Sequence, residues 1–479
     1  MRTEGHEIFA LLTRRRLLVA GVTALAGIGL AACGGSAFTA AVSSGAGSVV
    51  TTSLAQAVTT AAQNSATAAT SGAAISTSAA TSVAGGKGVT LQLVGWDSKL
   101  QLDLVQNFYQ DQFTKLHPDI SVAVISTAGG DFNDKITTLV AGGTPPNMMY
   151  VQDYVASSWV HKNVLLDLTP YASTDKDATV KQNWPNAIGF FQLEGKLYGL
   201  PKDFSSMVIY YNKDLFAAAG IQPPSKAGWT WDDFLQAAHK LTKPGSAEQQ
   251  WGFTLRTGSD SGIGPWIWQN GGDFFADPHQ PTQFTLDQAQ AVDAIQWYAD
   301  LIYKEHVAPT PDELKGQGDL FAKGRIAMTQ NWTSAMVGYR TSIKGFTWDA
   351  IAMPKQKVAA IPLTAVALGI PATAKNQDAT WEALKFYNGP AGSEFVLSNG
   401  WGIPADQAVG ASAAFLKDTP PDNKQVFLDQ VQYARLWPQS YAWPDQRAVI
   451  LKALNPVLGG QQQAHDAISA IKQQVLSTQ

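Results

Sequence analysis

Short apolar runs and amphipathic stretches alternate along the chain from about residue 89 onward. Residues 89–94 and 120–125 are runs of apolar and β-branched residues that predict strands, and residues 148–151 predict a short buried strand. Between them, residues 102–117 and 131–141 have the spacing of apolar positions that is typical of helices. Strands that alternate with helices predict an α/β fold, with helices on the faces of a sheet.

Amphipathic segments also recur through the second half of the chain. They predict helices at residues 234–241, 286–305, 379–388, 423–433 and 465–476. In open α/β sheets, ligands bind beyond the carboxyl ends of the strands. Trp96-Asp97 and Gln152-Asp153 directly follow two predicted strands, so we expect a binding site there.

The first 33 residues have the pattern of an export signal. Arg14, Arg15 and Arg16 precede an uncharged run at residues 17–32, which is shorter than the roughly 20 residues of a membrane span. Arg15-Arg16 resembles a twin-arginine signal. Leu30-Ala31-Ala32-Cys33 resembles the lipobox of bacterial lipoproteins, which implies cleavage before Cys33 and lipidation of its sulfur. The alternative is an ordinary signal peptide with an incidental cysteine.

The next segment, residues 34–87, is almost wholly Ala, Ser, Thr, Gly and Val. It has little apolar surface to bury, so we predict a disordered tether. Residues 88–479 exceed one ordinary core and predict two lobes. Net charge is only −4, with no basic face, so nucleic acid is not an expected partner.

No catalytic signature is present in the sequence. There is no nucleophile elbow, zinc-protease motif or phosphate-binding loop, and the seven histidines are scattered. We therefore expect no metal, no cofactor and no catalytic residue. A glycan hydrolase needs only two carboxylates, so that alternative stays open, with Asp97 and Asp153 as the pair to test.

Tryptophans beside single polar residues and glycines are the most distinctive chemistry of the chain. Residues 266–273 are the densest example, and we predict that they form a loop. Aromatic rings cover the apolar faces of sugars, while Asp, Asn and Lys bind the hydroxyl groups. The alternative for each tryptophan is simple core packing.

Five motifs resemble one known family. They are GGTPPNMMYV at 142–151, YGLP at 198–201, YYNKDLF at 210–216, TWDDF at 230–234 and FAKGRIAM at 321–328. Together they resemble the family 1 extracellular solute-binding proteins, the sugar-binding subunits of ABC importers, similar to maltose-binding protein. The matches recur in the family's order from about residue 90 to 475. Asn147 stands where the family usually has Asp.

The resemblance implies a fold and its division. It implies a two-lobed α/β fold of the periplasmic-binding-protein type (type II), with a ligand cleft between lobes joined by crossover segments. Lobe 1 would comprise residues 88–205 and 349–395, and lobe 2 residues 206–348 and 396–479. Crossovers would lie near residues 203–209 and 348–354.

The resemblance also implies a set of ligand-binding residues. They are Trp96, Asp97, Asp153, Lys202, Asp203, Ser205, Tyr211, Trp266, Trp268, Asn270, Trp332, Trp401 and Trp443. Trp332 is the favoured stacking residue of the second lobe. The alternatives are a helix cap for Asp153, core and cap for Trp96 and Asp97, and core for Tyr211.

The resemblance implies that the protein captures a carbohydrate and delivers it to the transmembrane subunits of an ABC importer. The broad spread of tryptophans along the chain favours an oligosaccharide. We expect a monomer that is lipid-anchored by Cys33 to the outer face of the cell membrane. A secreted glycan hydrolase is one alternative. A non-sugar ligand such as a glycerophosphodiester, a polyamine or a metal complex is another, although arginine is sparse near the candidates.

Overall fold

The computed structural model describes residues 88–127, 132–175, 179–225, 228–245 and 249–478. The predicted signal peptide (1–33) with Cys33 and the predicted tether (34–87) lie outside the described residues. Twelve strands are present in the described part: β1 Val89–Gly95, β2 Ile120–Ser126, β3 Met148–Gln152, β4 Gln192–Leu193, β5 Lys196–Leu197, β6 Leu200–Asn212, β7 Trp251–Thr254, β8 Ile326–Trp332, β9 Trp348–Ile351, β10 Ile361–Gly369, β11 Ile403–Pro404 and β12 Ala434–Arg435.

Helices surround these strands. The longer ones are Lys99–Phe108, Phe132–Ala141, Asp153–His161, Trp231–Leu241, Asp260–Gln269, Ala289–Tyr303, Gln377–Asn388, Pro390–Asn399, Trp443–Leu458 and Ala464–Ser477. Shorter ones are Thr114–Leu116, Thr169–Thr174, Thr179–Gln182, Pro185–Ile188, Lys213–Ala218, Pro311–Leu314, Met336–Ser342, Gln407–Gly410, Ala413–Lys417 and Gln425–Asp429. A π-helical turn spans Tyr109–Phe113, and 3₁₀ turns span Gly189–Phe191, Thr333–Ala335 and Val431–Tyr433.

One long sheet organises the molecule. Its main path has the strand order β2-β1-β3-β10-β6-β8-β7. Strands β1, β2 and β3 are parallel to one another, whereas β10 is antiparallel to both β3 and β6. Parallel strands need helical crossovers, which the helices at 99–108 and 132–141 supply.

Strand β6 joins two halves of this sheet. All thirteen of its residues are buried. Its residues up to Ser206 pair with β10 and β11, and its residues from Met207 onward pair with β8 and β9. We call the part built on β1, β2, β3 and β10 the first half, and the part built on β7, β8 and β9 the second half.

The predicted strands and most predicted helices are confirmed. The strands at 89–94, 120–125 and 148–151 are β1, β2 and β3, and the helix at 234–241 begins earlier, at Trp231. That earlier start is set by Thr230, which forms a capping box with Asp233. The predicted helix at 423–433 is broken into a short α-helix and a 3₁₀ turn.

The predicted loop at residues 266–273 is wrong for residues 266–269, which lie in the fully buried helix Asp260–Gln269. Residues 270–273 follow that helix as a turn and loop. Gly264, two positions before Trp266, makes room for another ring: a Cβ there would lie 2.7 Å from the Trp437 indole. This glycine therefore serves the packing of the helix.

No helix in the part of the chain that the structure describes is long and apolar enough to cross a membrane.

Candidate ligand-binding site

Two aromatic rings meet where strands β1 and β3 end. Trp96 follows β1 directly, and its ring lies 5.0 Å from the ring of Tyr150 in an edge-to-face arrangement. The same indole contacts Phe132 at 4.8 Å, also edge to face. Because β1 and β3 are parallel, their carboxyl ends lie at one edge of the sheet, which is where ligands bind in such folds.

A buried ion pair lies beside these rings. The Nζ of Lys202 is 2.7 Å from the Oδ2 of Asp203, and both side chains are buried. The same Nζ lies 5.1 Å from the Tyr150 ring centre and 5.6 Å from that of Trp401. Cations this close to aromatic faces are attracted by the ring quadrupole. The rings of Tyr150 and Trp401, which are far apart in sequence, therefore both lie close to the ammonium group of Lys202.

A bulge in β6 explains how two consecutive residues reach one place. Asp203 pairs with Val366 and Pro201 pairs with Ala367, which leaves Lys202 as an extra residue in the ladder. Successive residues of a regular strand point to opposite faces, but a bulge redirects a side chain. Lys202 and Asp203 can therefore contact each other although they are neighbours in a strand.

The charges of this cluster are tightly coupled. Burial raises the pKa of Asp203, and Lys202 only partly opposes that effect. Burial alone would lower the pKa of Lys202, but Asp203 and Asp97 outweigh it, so the pKa of the ammonium is raised. Burial and the nearby Asp97 carboxylate raise the pKa of Tyr150 well above its ordinary value. Two carboxylates, Asp203 and Asp97, therefore act on the one cation, and the phenol of Tyr150 beside them stays protonated.

Asp153 opens the helix Asp153–His161 at the end of β3. Its carboxylate accepts hydrogen bonds from the backbone N–H of Tyr154 at 2.8 Å and of Ala365 at 3.2 Å. The Thr364 side chain also donates to it. Burial raises the pKa of Asp153 to about 7, because the hydrogen bonds offset only part of the desolvation. The N-cap position itself is Gln152.

Ser205 and Trp332 lie on the same face of the sheet as Asp153. Thr364, which binds Asp153, is the cross-strand partner of Ser205. Trp332 pairs with Met207, two residues further along β6. Directly paired residues and residues two apart in a strand share a face, so the half-buried Trp332 continues the surface formed by Ser205.

The remaining sequence candidates lie elsewhere. Tyr211 is buried and packs on Phe216 at 4.7 Å, at the far end of β6. Trp266 is fully buried among Trp231, Phe234, Phe253, Trp297 and Tyr298, and its indole N–H donates to Gln330 at 2.8 Å.

Trp268, Asn270 and Trp443 are also buried. The Trp268 N–H donates to Asp273 at 2.9 Å, and the Asn270 amide donates to the backbone oxygen of Gln290 at 2.8 Å. Trp443 packs edge to face on Phe274 at 5.6 Å. All three side chains lie away from the cluster at Lys202, and the indole N–H of Trp443 is buried without a hydrogen-bond partner among the described residues.

Four residues of the site were not among the predicted ones: Tyr150, described above, and Arg447, Asp260 and Tyr154. The guanidinium of Arg447 binds Asp260 with two hydrogen bonds, of 2.7 and 2.9 Å, and lies 5.2 Å over the ring of Tyr154. Burial would lower the pKa of Arg447, but Asp260 outweighs it and the pKa is raised. Tyr154 adjoins Asp153, so this pair connects the first half of the sheet to the helix Trp443–Leu458.

The donor set suits an uncharged ligand that offers hydroxyl groups. Half-buried rings of Trp96 and Trp401 provide apolar faces, and Asp97, Asp153 and Lys202 provide charged hydrogen-bonding groups. Among the described residues, no group of three His, Cys, Asp or Glu side chains could hold a metal ion.

Comparison with known proteins identifies the family. The sequence model of the bacterial extracellular solute-binding proteins matches residues 96–394. The chain belongs to that family. Its members are binding proteins and extracellular by description, so the predicted family is confirmed.

Two curated relatives bind sugars by name. The lactose-binding protein of Rhizobium radiobacter is 24% identical over 270 residues, which cover 55% of this chain and 61% of that protein. The arabinooligosaccharide-binding protein of Bacillus subtilis is 24% identical over 276 residues, 55% of this chain and 60% of that protein. The match thus spans about three fifths of each relative.

Solved structures confirm the fold. An ABC substrate-binding protein of Listeria monocytogenes, solved in complex with cycloalternan, superposes with a TM-score of 0.74 at 27% identity, covering 82% of this chain and 99% of that one. The maltose-bound MalE3 of T. maritima gives a TM-score of 0.68 at 21% identity, covering 81% and 99%. The predicted α/β fold of the periplasmic-binding-protein type (type II) is confirmed.

Proposed function

We propose that this protein captures a carbohydrate and delivers it to the transmembrane subunits of an ABC importer. The observation that carries the proposal is a cluster at the edge of the sheet: the rings of Tyr150 and Trp401 lie over the buried Lys202, which is paired with Asp203, and Trp96 packs on Tyr150. Rings cover the apolar faces of a sugar, and the charged groups around them bind its hydroxyls.

The charge balance supports a neutral ligand. Lys202 is paired with Asp203, and Arg447 is paired with Asp260 through two hydrogen bonds. A phosphate ligand would require a free arginine or an equivalent donor set, and a polyamine would require carboxylates without cations beside them. The names of the relatives, which bind lactose and arabinooligosaccharides, favour a sugar and an oligosaccharide.

We infer two lobes that meet along β6, with the sugar held between them. The change of pairing partners between Ser206 and Met207 supports one crossover there. Strand β9 pairs with the second half of the sheet and β10 with the first, which supports the other crossover within residues 352–360. Closure follows if the ligand binds the closed arrangement more tightly than the open one.

We also propose that the chain is anchored outside the cytoplasm by lipid on Cys33, acts as a monomer, and performs no chemistry on its ligand. The lipobox resemblance supports the anchor, and the extracellular character of the family agrees with it. A tether over residues 34–87 would hold the binding domain clear of the membrane.

Thermal unfolding of the purified protein against a ligand panel tests the proposal. The panel comprises lactose, arabinooligosaccharides and maltodextrins, with glycerophosphodiesters and polyamines as controls. A ligand at about 100 times its Kd adds roughly 2.7 kcal/mol to the free energy of unfolding, which shifts Tm upward by a degree or more. The same mixtures are then analysed by chromatography for products.

A shift with one sugar class, without products, supports capture and names the ligand. Consumption of the sugar would instead favour the hydrolase, for which Asp97 and Asp153 are the carboxylates to mutate. A shift caused only by a control compound keeps the fold and contradicts the carbohydrate ligand.

A further inference from the structure

Trp401, whose ring lies 5.6 Å from the buried ammonium of Lys202, stands between two glycines. The first, Gly400, ends the preceding helix in the left-handed region, at φ +67°, where glycine is favoured. The second, Gly402, packs on β6, because a Cβ there would lie 3.3 Å from the side chain of Asp203. The chain that follows Trp401 is therefore fixed against the cluster at Lys202.

The chain that precedes Trp401 packs on a helix of the second half. A Cβ at Gly400 would lie 3.6 Å from Nη1 of Arg340 and 3.6 Å from a methyl carbon of Val337. These two residues are three positions apart in the helix Met336–Ser342, so they lie on one face of it. One face of this helix therefore contacts the glycine next to Trp401.

The same helix follows the second ring that we expect to stack on a ligand. Trp332 is the last residue of β8, and the 3₁₀ turn Thr333–Ala335 leads from it directly into the helix Met336–Ser342. The helix is thus connected to Trp332 through the chain and to the turn before Trp401 through packing. Its position affects how the two rings are placed relative to each other.

Arg340 binds this helix to a distant loop. Its Nε donates to the backbone oxygen of Pro420 at 2.6 Å, and its Nη2 donates to the backbone oxygen of Asp418 at 2.7 Å. Its Nη1 is 2.8 Å from Oδ2 of Asp418. All three nitrogen atoms are bound by protein oxygens, and the side chain is only 22% exposed. We therefore expect Arg340 to act on a ligand through Trp401 rather than by direct contact.

A second cation holds the carboxylate that binds Arg340. The Nζ of Lys424 is 2.9 Å from the same Oδ2 of Asp418, donates to the backbone oxygen of Phe415 at 3.0 Å, and is fully buried. Burial would raise the pKa of Asp418, but the hydrogen bonds from Lys424 and Arg340 outweigh burial, so the pKa is lowered and the carboxyl stays ionised. The guanidinium of Arg340 is therefore fixed by a charged partner that is itself anchored.

We propose that Arg340 is a positioning residue for ligand binding, which keeps the ring of Trp401 in the orientation that covers a sugar. The inference rests on the proposed function, because Trp401 is one of the rings expected to stack there. Without the guanidinium, Gly400 loses packing against the helix Met336–Ser342, while Gly402 stays in contact with β6. The ring of Trp401 would then adopt more orientations in the free protein, and ordering it on binding would cost affinity.

The first arm of the test needs no ligand. The purified protein is labelled with 5-fluorotryptophan, and the fluorine NMR signal of Trp401 is identified by its absence from Trp401→Phe. Arg340→Met removes the guanidinium at similar length. Arg325→Met is the matched control, because Arg325 also donates through two nitrogens to a backbone oxygen, that of Gln249 at 3.0 Å, but precedes β8 at the end opposite to Trp332.

We expect the Trp401 signal to shift or broaden in Arg340→Met and to stay as in the wild type in Arg325→Met. An unchanged Trp401 signal in folded Arg340→Met would overturn the proposal, whatever the ligand. If Arg340→Met does not fold, Arg340→Lys replaces it. Lysine keeps the charge beside Asp418 but lacks the planar fork that makes all three bonds at once, so the same change of the signal is expected.

The second arm measures the Kd of lactose, arabinotriose and maltotriose by isothermal titration. We expect Arg340→Met to raise the Kd of the sugar that binds about fivefold, and to leave it unchanged in the Trp401→Ala protein, because the ring that Arg340 positions is then absent. A rise that persists in Trp401→Ala would give Arg340 a general structural role and overturn the proposal. If none of the sugars binds although the fluorine signal depends on Arg340, the carbohydrate ligand fails and the positioning of Trp401 stands.

Discussion

Tryptophans perform two different tasks in the two halves of this molecule. In the second half, Trp266 is fully buried, and its N–H is satisfied by Gln330. In the first half, Trp96 and Trp401 are only half-buried: Trp401 lies over the buried ammonium of Lys202, and Trp96 packs on Tyr150, whose ring lies over the same ammonium. The two groups of tryptophans differ in their surroundings. Aromatic neighbours and a hydrogen-bonded indole N–H indicate a core residue, whereas an exposed ring surface close to buried charge indicates a binding site.

The cluster at Lys202 keeps buried charges, although burying a charged group costs free energy that apolar side chains would not cost. A buried ion pair is commonly no more stable than apolar residues of similar volume. Lys202, Asp203 and Asp97 nevertheless form such a cluster. This arrangement is understandable if the groups bind a polar ligand, and it has no counterpart around Trp266.

Trp266→Ala should have the largest effect, and on stability alone. Removing a fully buried indole leaves a cavity among five aromatic rings, so the free energy of unfolding should fall by about 3–5 kcal/mol. Urea unfolding measures this loss. The ligand affinity of the folded fraction should be unchanged. A tenfold loss of affinity in protein that is still folded would show that Trp266 contributes to ligand binding after all.

Lys202→Met should cause the second-largest loss of stability. It leaves Asp203 buried without its cation, and the expected loss of stability lies near the lower end of about 3–5 kcal/mol, because Asp203 can protonate. Ligand affinity should fall as well, unlike in Trp266→Ala.

Lys99→Met provides the matched control for that loss. It breaks a 2.8 Å ion pair with Asp103, whose partners are 84% and 56% exposed, and such pairs contribute about 0–1 kcal/mol. Equal losses of stability for Lys202→Met and Lys99→Met would contradict the distinction between a buried functional pair and a surface one.

Local sequence patterns predicted the elements but not the bulge. Strands β1, β2 and β3 follow from apolar runs, and the sites after β1 and β3 follow from the rule for parallel sheets. The extra residue at Lys202 depends on the register between β6 and β10, which lie more than 150 positions apart in sequence. No local pattern encodes that register, so the mutual contact of Lys202 and Asp203 could not be predicted.

The error at residues 266–273 has a related cause. A glycine close to a tryptophan in sequence has the same local pattern whether a ligand or another ring packs against it, and at Gly264 the ring is that of Trp437, 173 positions away. Arg447 was missed for the same reason, since its partners Asp260 and Tyr154 are distant in sequence. Long-range packing decides which aromatic and charged residues form a site.

Trp401→Ala should change affinity rather than stability. The ring is half-buried and contacts Phe395 at 5.2 Å, so its loss should leave unfolding almost unchanged. Loss of one stacking face should raise the Kd of the sugar about tenfold, which corresponds to about 1.4 kcal/mol. Isothermal titration measures the Kd. An unchanged Kd would assign Trp401 to packing. It would then contradict the distinction between tryptophans that bind ligand and tryptophans, such as Trp266, that only form the core.

The smallest expected effect is a dependence of affinity on pH through Asp153. Burial raises the pKa of its carboxyl to about 7, so the free protein binds a proton there below that pH. A carboxylate accepts hydroxyl hydrogen bonds more strongly than a protonated carboxyl, by about 1 kcal/mol, so a bound sugar should lower this pKa and binding should release a proton. Affinity should therefore fall about three- to fourfold between pH 8 and pH 6. Asp153→Asn, which keeps the shape and cannot ionise, should bind with a Kd that is flat over this range. A slope that persists in Asp153→Asn would show that another group of the cleft titrates, and a flat wild-type profile would place Asp153 outside contact with the sugar.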